Sequence, residues 1–267
     1  ETAITALSGG GFVATWQKPT AYGLNIAYQR YDAAGNKLGI EGIISDPYSD
    51  SYLNPSVAPL NNGAFVIVWE RSPASNEIYG YSSTIYGQML DANGNKIGNE
   101  FLASDPESIN APGGGYLGEV AKLANGNFVV ASVNFYGLTI KRFDASGNIL
   151  GESHLADYYL DDNNSSIEIT PLSNGSFIVF GSKHVPNGID YIYCQRFDSS
   201  GNTLGGLINL SGGISLYPFN PEVVQLTGGY LVVTWKSVQG IVAQRIDING
   251  NKIGSYTVTS LDYYHNH

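Results

Sequence analysis

The chain has 267 residues, with 13 Lys and Arg against 23 Asp and Glu, for a formal net charge of −10. That balance argues against nucleic acid or an anionic membrane surface as partner, since both call for a basic face. No apolar run approaches the ~20 residues of a membrane helix, 33 Gly and 11 Pro speak against a helical bundle, and the single Cys (Cys194) excludes a disulfide framework or a cysteine-rich metal site.

Self-similarity organises the rest. The pattern Asp-x-x-Gly-Asn-x-x-Gly begins at Asp32, Asp91, Asp144, Asp198 and Asp247. Ahead of each copy stands a Leu, two small or polar residues, a Gly and an apolar run, starting at Leu7, Leu60, Leu123, Leu172 and Leu226. Five paired signals in phase predict five blades, over residues 1–54, 55–110, 111–164, 165–220 and 221–267 of one domain. Each blade reads as four strands. In the second blade, strand A is Pro55–Leu60, and an Asn-Gly pair turns the chain into strand B, Phe65–Trp69. Strand C is Tyr86–Leu90, the Asp-x-x-Gly turn follows, and strand D runs Lys96–Leu102. Four antiparallel strands repeating about every 50 residues predict an all-β, five-bladed β-propeller. The alternative is an open linear array of small β units.

The phrase Leu-Asn-Asn-Gly-Ala-Phe-Val-Ile-Val-Trp at 60–69, and Tyr-Gly-Gln-Met-Leu-Asp-Ala-Asn-Gly-Asn-Lys-Ile-Gly-Asn-Glu-Phe at 86–101, resemble a repeat of large secreted bacterial surface and RTX-type proteins. The resemblance covers essentially the whole chain, although the third and fourth blades lack the Trp. It implies an extracellular or cell-surface location and no particular chemistry. The architecture is also similar to that of tachylectin-type sugar-binding propellers and arabinanase-type glycosidases, as analogies of fold alone.

Because strands alternate in direction, the A–B and C–D turns share one face, and the B–C loops and D–A linkers share the other. The second face varies between blades and is rich in tyrosine, as binding surfaces built on rigid strands are. Candidate ligand-binding residues are Tyr79, Tyr81 and Tyr191 in or beside its loops, together with His184. Trp16, Trp69 and Trp235 end strand B near this face. They are candidates too, with blade-to-blade packing as the other reading. Ser132 and Gly181 stand where the missing Trp residues would be, which predicts an extra pocket near the fourth blade.

Four residues before the repeat Leu, on the innermost strand, stand Ala3, Ser56, Glu119, Glu168 and Glu222. Converging glutamates need a cation, a shared proton or water. Glu119, Glu168 and Glu222 are therefore the candidate metal ligands, with calcium the ion their oxygens suit and no cofactor required. Paired carboxylates are also the equipment of glycoside hydrolysis. The Gln-Arg pairs of strand C, such as Gln29-Arg30 and Gln195-Arg196, are expected to bridge blades. The chain begins at Glu1 without Met, so it is expected to be processed or part of a longer chain. The reading favoured is a non-enzymatic extracellular recognition module for carbohydrate. A structural or adhesive module docking a protein ligand within a larger secreted assembly comes second, and a glycosidase third.

Overall fold

The computed structural model describes residues 1–21, 23–44, 50–72, 83–104, 116–134, 137–156, 166–183, 185, 190–212, 218–238 and 240–260. Their regular structure is all β apart from one short 3-10 turn at Asn61–Gly63. The strands form five four-stranded antiparallel sheets, each with its strands in sequence order. The chain divides into two compact units, Glu1–Tyr158 and Tyr159–His267.

The first unit holds three sheets. The first comprises β1 (Thr2–Ala6), β2 (Phe12–Thr20), β3 (Gly23–Tyr31) and β4 (Lys37–Ile43). The second comprises β5 (Ser51–Pro59), β6 (Phe65–Ser72), β7 (Thr84–Leu90) and β8 (Lys96–Leu102). The third comprises β9 (Tyr116–Lys122), β10 (Phe128–Asn134), β11 (Gly137–Phe143) and β12 (Ile149–Ala156). The second unit holds two sheets. One is β13 (Ile167–Pro171), β14 (Phe177–Lys183), β15 (Tyr191–Phe197) and β16 (Ile208–Asn209). The other is β17 (Phe219–Gln225), β18 (Tyr230–Ser237), β19 (Gly240–Asp247) and β20 (Lys252–Ser260). The outer strand of the fourth sheet is cut to two residues, with one isolated bridge at Phe197–Thr203. The Gly205-Gly206 pair lies between the bridge and the short strand.

Sheets pack face to face through apolar second strands. Ile26, Tyr28, Phe65, Ile67 and Trp69 lie between the first two sheets. Val66, Val68, Phe128, Val130 and Phe143 lie between the second and third. In the second unit, Ile178, Phe180, Leu231, Val233 and Trp235 form the equivalent layer. Burial on both faces explains why these strands read as unbroken apolar runs rather than alternating ones.

The five Asp-x-x-Gly turns are copies of one another. In each, one carboxylate oxygen accepts from the backbone N–H two and four residues on, and the other accepts from the Asn side chain. Those hydrogen bonds hold the carboxyls of Asp32, Asp91 and Asp144 below the ordinary range, the Asn side chain contributing most. With their lone pairs so committed, these residues are turn formers.

The strand C glutamines differ from expectation. Gln29, Gln88, Gln195 and Gln244 are buried and donate within their own sheet. Gln88 Nε2, for example, reaches Met89 O at 2.9 Å and Ile97 O at 3.1 Å. The same clamp recurs at Gln29, Gln195 and Gln244. It closes the strand D bulge, where Gly39, Gly98, Gly205 and Gly254 take positive φ. Of the Gln29-Arg30 pair it is the Arg that bridges to the next sheet, together with residues the pattern did not single out. Tyr28 Oη donates to Gly94 O at 2.6 Å, Arg30 Nη1 donates to Ala92 O, and Lys96 Nζ donates to Ile44 O at 2.8 Å. In the third sheet a buried Lys141 replaces the Gln. It pairs with Glu152 at 3.4 Å, and Glu152 also holds His154 Nε2 at 2.8 Å.

Candidate functional site

Innermost strands carry a recurrent kink. β5, β9 and β17 each slip register against the neighbouring strand, and one residue of the slip enters the left-handed region: Asn54 at φ +51°, Leu117 at +56° and Asn220 at +52°. Asn tolerates this conformation because its short side chain bonds locally, whereas Leu does not. The kink lies two residues before Ser56, Glu119 and Glu222. It therefore sets how the repeat-equivalent inner position leaves the strand.

In the first unit, that position makes a contact between strands of adjacent sheets. Val120 N donates to Ser56 Oγ at 3.2 Å, joining β9 to β5 beside Glu119. In the second unit, Glu168 on β13 and Glu222 on β17 take the equivalent positions of neighbouring strands. Glu168 is partly buried and pairs across the ladder with Phe180, while Glu222 is exposed and pairs with Thr234. Burial first, then the negative charge of Glu222, pushes the Glu168 carboxyl up to about 7. One member of the pair thus holds a proton close to neutrality beside a second, solvent-facing carboxyl. Such a pair can donate and accept hydrogen bonds at once, as sugar hydroxyls require, and it separates an acid from a base. Glu119 belongs to the first unit. Among the described residues, no group of three or more His, Cys, Asp or Glu gathers as a metal-ion site.

The tryptophan candidates separate into two kinds. Trp69 is 0 % exposed, between Tyr52 and Tyr86 with centroids 6.5 Å from each. Trp235 is 3 % exposed in the layer between the fourth and fifth sheets. Neither ring can offer a face to a ligand, and both act in blade-to-blade packing. Trp16 is half-buried. The pocket expected near the fourth blade is filled. Gly181, at the missing-Trp position, lies under the ring of buried Tyr193, and a Cβ there would stand 2.6 Å from Tyr193 Cζ. The ring that covers the gap comes from the facing residue of strand C, the position that Tyr86 holds opposite Trp69. Tyr191 is half-buried at the loop end of β15. Tyr79, Tyr81 and His184 lie outside the described residues. Cys194 is buried, and its thiol is pushed up to about 12, so it is not a nucleophile.

Sequence reading missed a polar cluster at the loop end of β6. Glu70 is buried and accepts from Asn54 Nδ2 at 2.9 Å, from the Ser83 hydroxyl and from Leu117 N–H. Burial raises its carboxyl, and those hydrogen bonds oppose the rise. One side chain thereby ties together the kinks of β5 and β9. On the other face of β6, Arg71 lies over the rings of Tyr86 and Tyr52, 5.2 and 5.9 Å from their centroids. Its Nε donates to Asp50 Oδ2 at 2.5 Å. The sequence carries no distinct signal for it: polar or charged residues follow the Trp position in other repeats too, as at Gln17-Lys18 and Lys236-Ser237.

No protein-family model and no curated protein matches the sequence. Solved structures do resemble the fold. The NanB sialidase of Streptococcus pneumoniae superposes with a TM-score of 0.68 at 11 % identity, over 97 % of this chain and 61 % of that one. A protein of unknown function from Dyadobacter fermentans gives 0.64 at 12 % identity, over 97 % and 82 %. A family 43 β-1,3-galactosidase solved with galactodeoxynojirimycin gives 0.57 at 11 % identity, over 94 % and 92 %. At such identities the likeness carries architecture alone. Together with the five four-stranded sheets, it establishes an all-β fold of the five-bladed propeller class.

Proposed function

We propose that this chain is a carbohydrate-recognising propeller whose polar centre is the Glu168–Glu222 pair on the innermost strands of the second unit. The observation that carries the reading is the placement of a partly buried and an exposed carboxyl at repeat-equivalent positions of the neighbouring strands β13 and β17, where burial and the second carboxyl's charge raise the first. A protonated carboxyl donates, an ionised one accepts, and neighbouring sugar hydroxyls offer the complement. The similarity of the fold to a sialidase and a β-1,3-galactosidase supports a sugar ligand. The likeness of the repeat to those of secreted bacterial surface proteins supports an extracellular setting. The reading requires no cofactor.

The second reading is glycoside hydrolysis, favoured by the same raised Glu168 carboxyl, which resembles the acid of an acid–base pair. One experiment addresses both. The chain and its Glu168→Gln/Glu222→Gln variant are screened on a glycan array at about pH 5.5 and 7.5, with calcium and with chelator. In parallel, both are incubated with a panel of nitrophenyl glycosides. The expected result is binding to a defined sugar set that the double variant loses, with no nitrophenol release. Release by the wild type but not the variant would replace recognition with catalysis. Retention of binding by the variant would remove the pair from the site.

A further inference from the structure

Within each unit, the joint between consecutive sheets pairs two unlike faces of the repeat. The second sheet turns Ala58, Val66, Val68 and Ile85 to the third, as the fourth turns Ile178, Phe180 and Ile192 to the fifth. The receiving face is Val57, Phe65, Ile67 and Trp69 in the second sheet, and Val223, Leu231, Val233 and Trp235 in the fifth. Successive residues of a strand point to opposite sides, so every sheet carries one face of each kind. The first sheet leaves its receiving face bare. Ile4 is 67 % exposed where the equivalent Val57, Val120 and Ile169 are buried, and Phe12, Ala14 and Trp16 beside it are half-buried. The fifth sheet leaves the opposite kind bare. Ile241 is 48 % exposed where Ile26, Ile85, Leu138 and Ile192 are all 0 % exposed. Val224 is 55 % exposed, and Val232 and Thr234 on the strand between are half-buried. Apolar positions exposed in one sheet and buried in its repeats mark a face made for a neighbour.

We propose that the first sheet of one copy packs on the fifth sheet of a second copy of this chain, head to tail. The repeat itself says what each bare face takes, namely a sheet presenting the other kind of face. This chain carries both halves of that joint, so a second copy supplies the fit. It supplies the polar latch as well. Arg245 holds the place of Arg30, two residues before the turn Asp, and Ala33 holds the place of Ala92, one residue after it. Arg30 donates to Ala92 O between the first and second sheets. Arg245, exposed over the ring of Tyr230 in the single copy, would donate in the same way to Ala33 O of the second copy. Glu222 stands on the innermost strand of the fifth sheet's bare face. Its equivalent Glu168 stays partly exposed although the fifth sheet covers the fourth, so docking leaves that inner edge open. The interface does not depend on the sugar reading. Because it joins unlike faces, one bare face remains on each partner and the contact can repeat.

The test is sedimentation velocity from micromolar to near-millimolar concentration on the wild type, Ile4→Asp, Ile241→Asp and Arg245→Gln. Both isoleucines are exposed in the single copy, so each Asp should leave the melting temperature of the dilute protein unchanged. The wild type should associate as concentration rises. Trp16 emission should then shift to the blue, since its equivalents Trp69 and Trp235 are buried. Ile4→Asp and Ile241→Asp should each lower the association constant about tenfold or more, because each would bury an unpaired charge in the joint. Arg245→Gln should lower it less. The decisive arm mixes the two aspartate variants. Each keeps the face that the other has lost, so the mixture should form a one-to-one dimer and stop there. A mixture that stays monomeric while the wild type associates would overturn the head-to-tail pairing in favour of like faces. A wild type that is monomeric at every concentration, or whose association neither aspartate moves, would overturn the second copy as occupant. Should an aspartate lower the melting temperature, the comparison passes to Arg245→Gln, and unchanged association there would overturn the joint.

Discussion

Replacing Glu168 by Gln should change how stability depends on pH, and the size of the change follows from the pair. Holding the carboxyl near 7 rather than at 4.5 costs the ionised native chain about 3 kcal/mol, at roughly 1.4 kcal/mol for each tenfold change in proton affinity. This is an upper value, because Glu168 is only partly buried and water screens its neighbour's charge. The sign is fixed by linkage. A carboxyl raised in the folded state contributes stability that is fully present below about 4.5 and is lost as pH rises through about 7. Wild type should therefore lose on the order of 2–3 kcal/mol from this group between about pH 4.5 and pH 8, and Glu168→Gln should not. Urea melts across that range measure it. The difference between the two profiles isolates Glu168, because Glu70 is raised by burial in both proteins and tilts both alike. Glu222→Gln removes only the second cause and should flatten the profile in part. Parallel profiles for wild type and Glu168→Gln would refute the coupling, and with it the polar centre assigned to the inner strands.

Other outcomes follow from local geometry. Leu117→Asn matches the residue to its φ of +56° and copies Asn54 and Asn220. It should stabilise by about 1 kcal/mol, read as a rise of a few degrees in Tm. Gly181→Ala forces a methyl into the ring of Tyr193 and should cost roughly 2–3 kcal/mol in denaturant melts. Gln88→Leu leaves Met89 O and Ile97 O without their buried donor and should cost about 1–3 kcal/mol by the same assay. Cys194 should resist a thiol reagent in the native chain and react at once in denaturant, since its thiol is buried and held near 12.

What could be read from the sequence was what is local. The Asp-x-x-Gly-Asn turn keeps all its hydrogen bonds within five residues, so pattern and structure coincide at Asp32, Asp91, Asp144, Asp198 and Asp247. Glu168 and Glu222 could be found because aligned repeats place equivalent residues at equivalent heights on neighbouring inner strands. The facing direction of Trp69 and Trp235 could not be found in this way. A strand exposes alternate residues to opposite sides, and near its end the sequence does not say which side is covered. The filling of the Gly181 gap needs the cross-strand partner Tyr193, twelve residues away, and the role of Glu70 needs three donors from three segments. The kink at Leu117 is hidden for a further reason: Leu is a residue that turn chemistry would not choose for a positive φ.

The links from the first sheet to the second have a consequence for how such chains can be assembled. Tyr28, Arg30 and Lys96 all reach backbone carbonyls, at Gly94, Ala92 and Ile44. A carbonyl is present whatever side chain the residue carries. A neighbour is thus recognised by the path of its turn and not by its composition. Exchanging the second repeat would leave the Tyr28 and Arg30 latches usable wherever the incoming segment keeps the Asp-x-x-Gly-Asn turn, and would keep the third wherever it also supplies a Lys at the position of Lys96. The opposite ends of the strands would be free to diversify, so that new surfaces arise by shuffling modules while the joints between them stay the same.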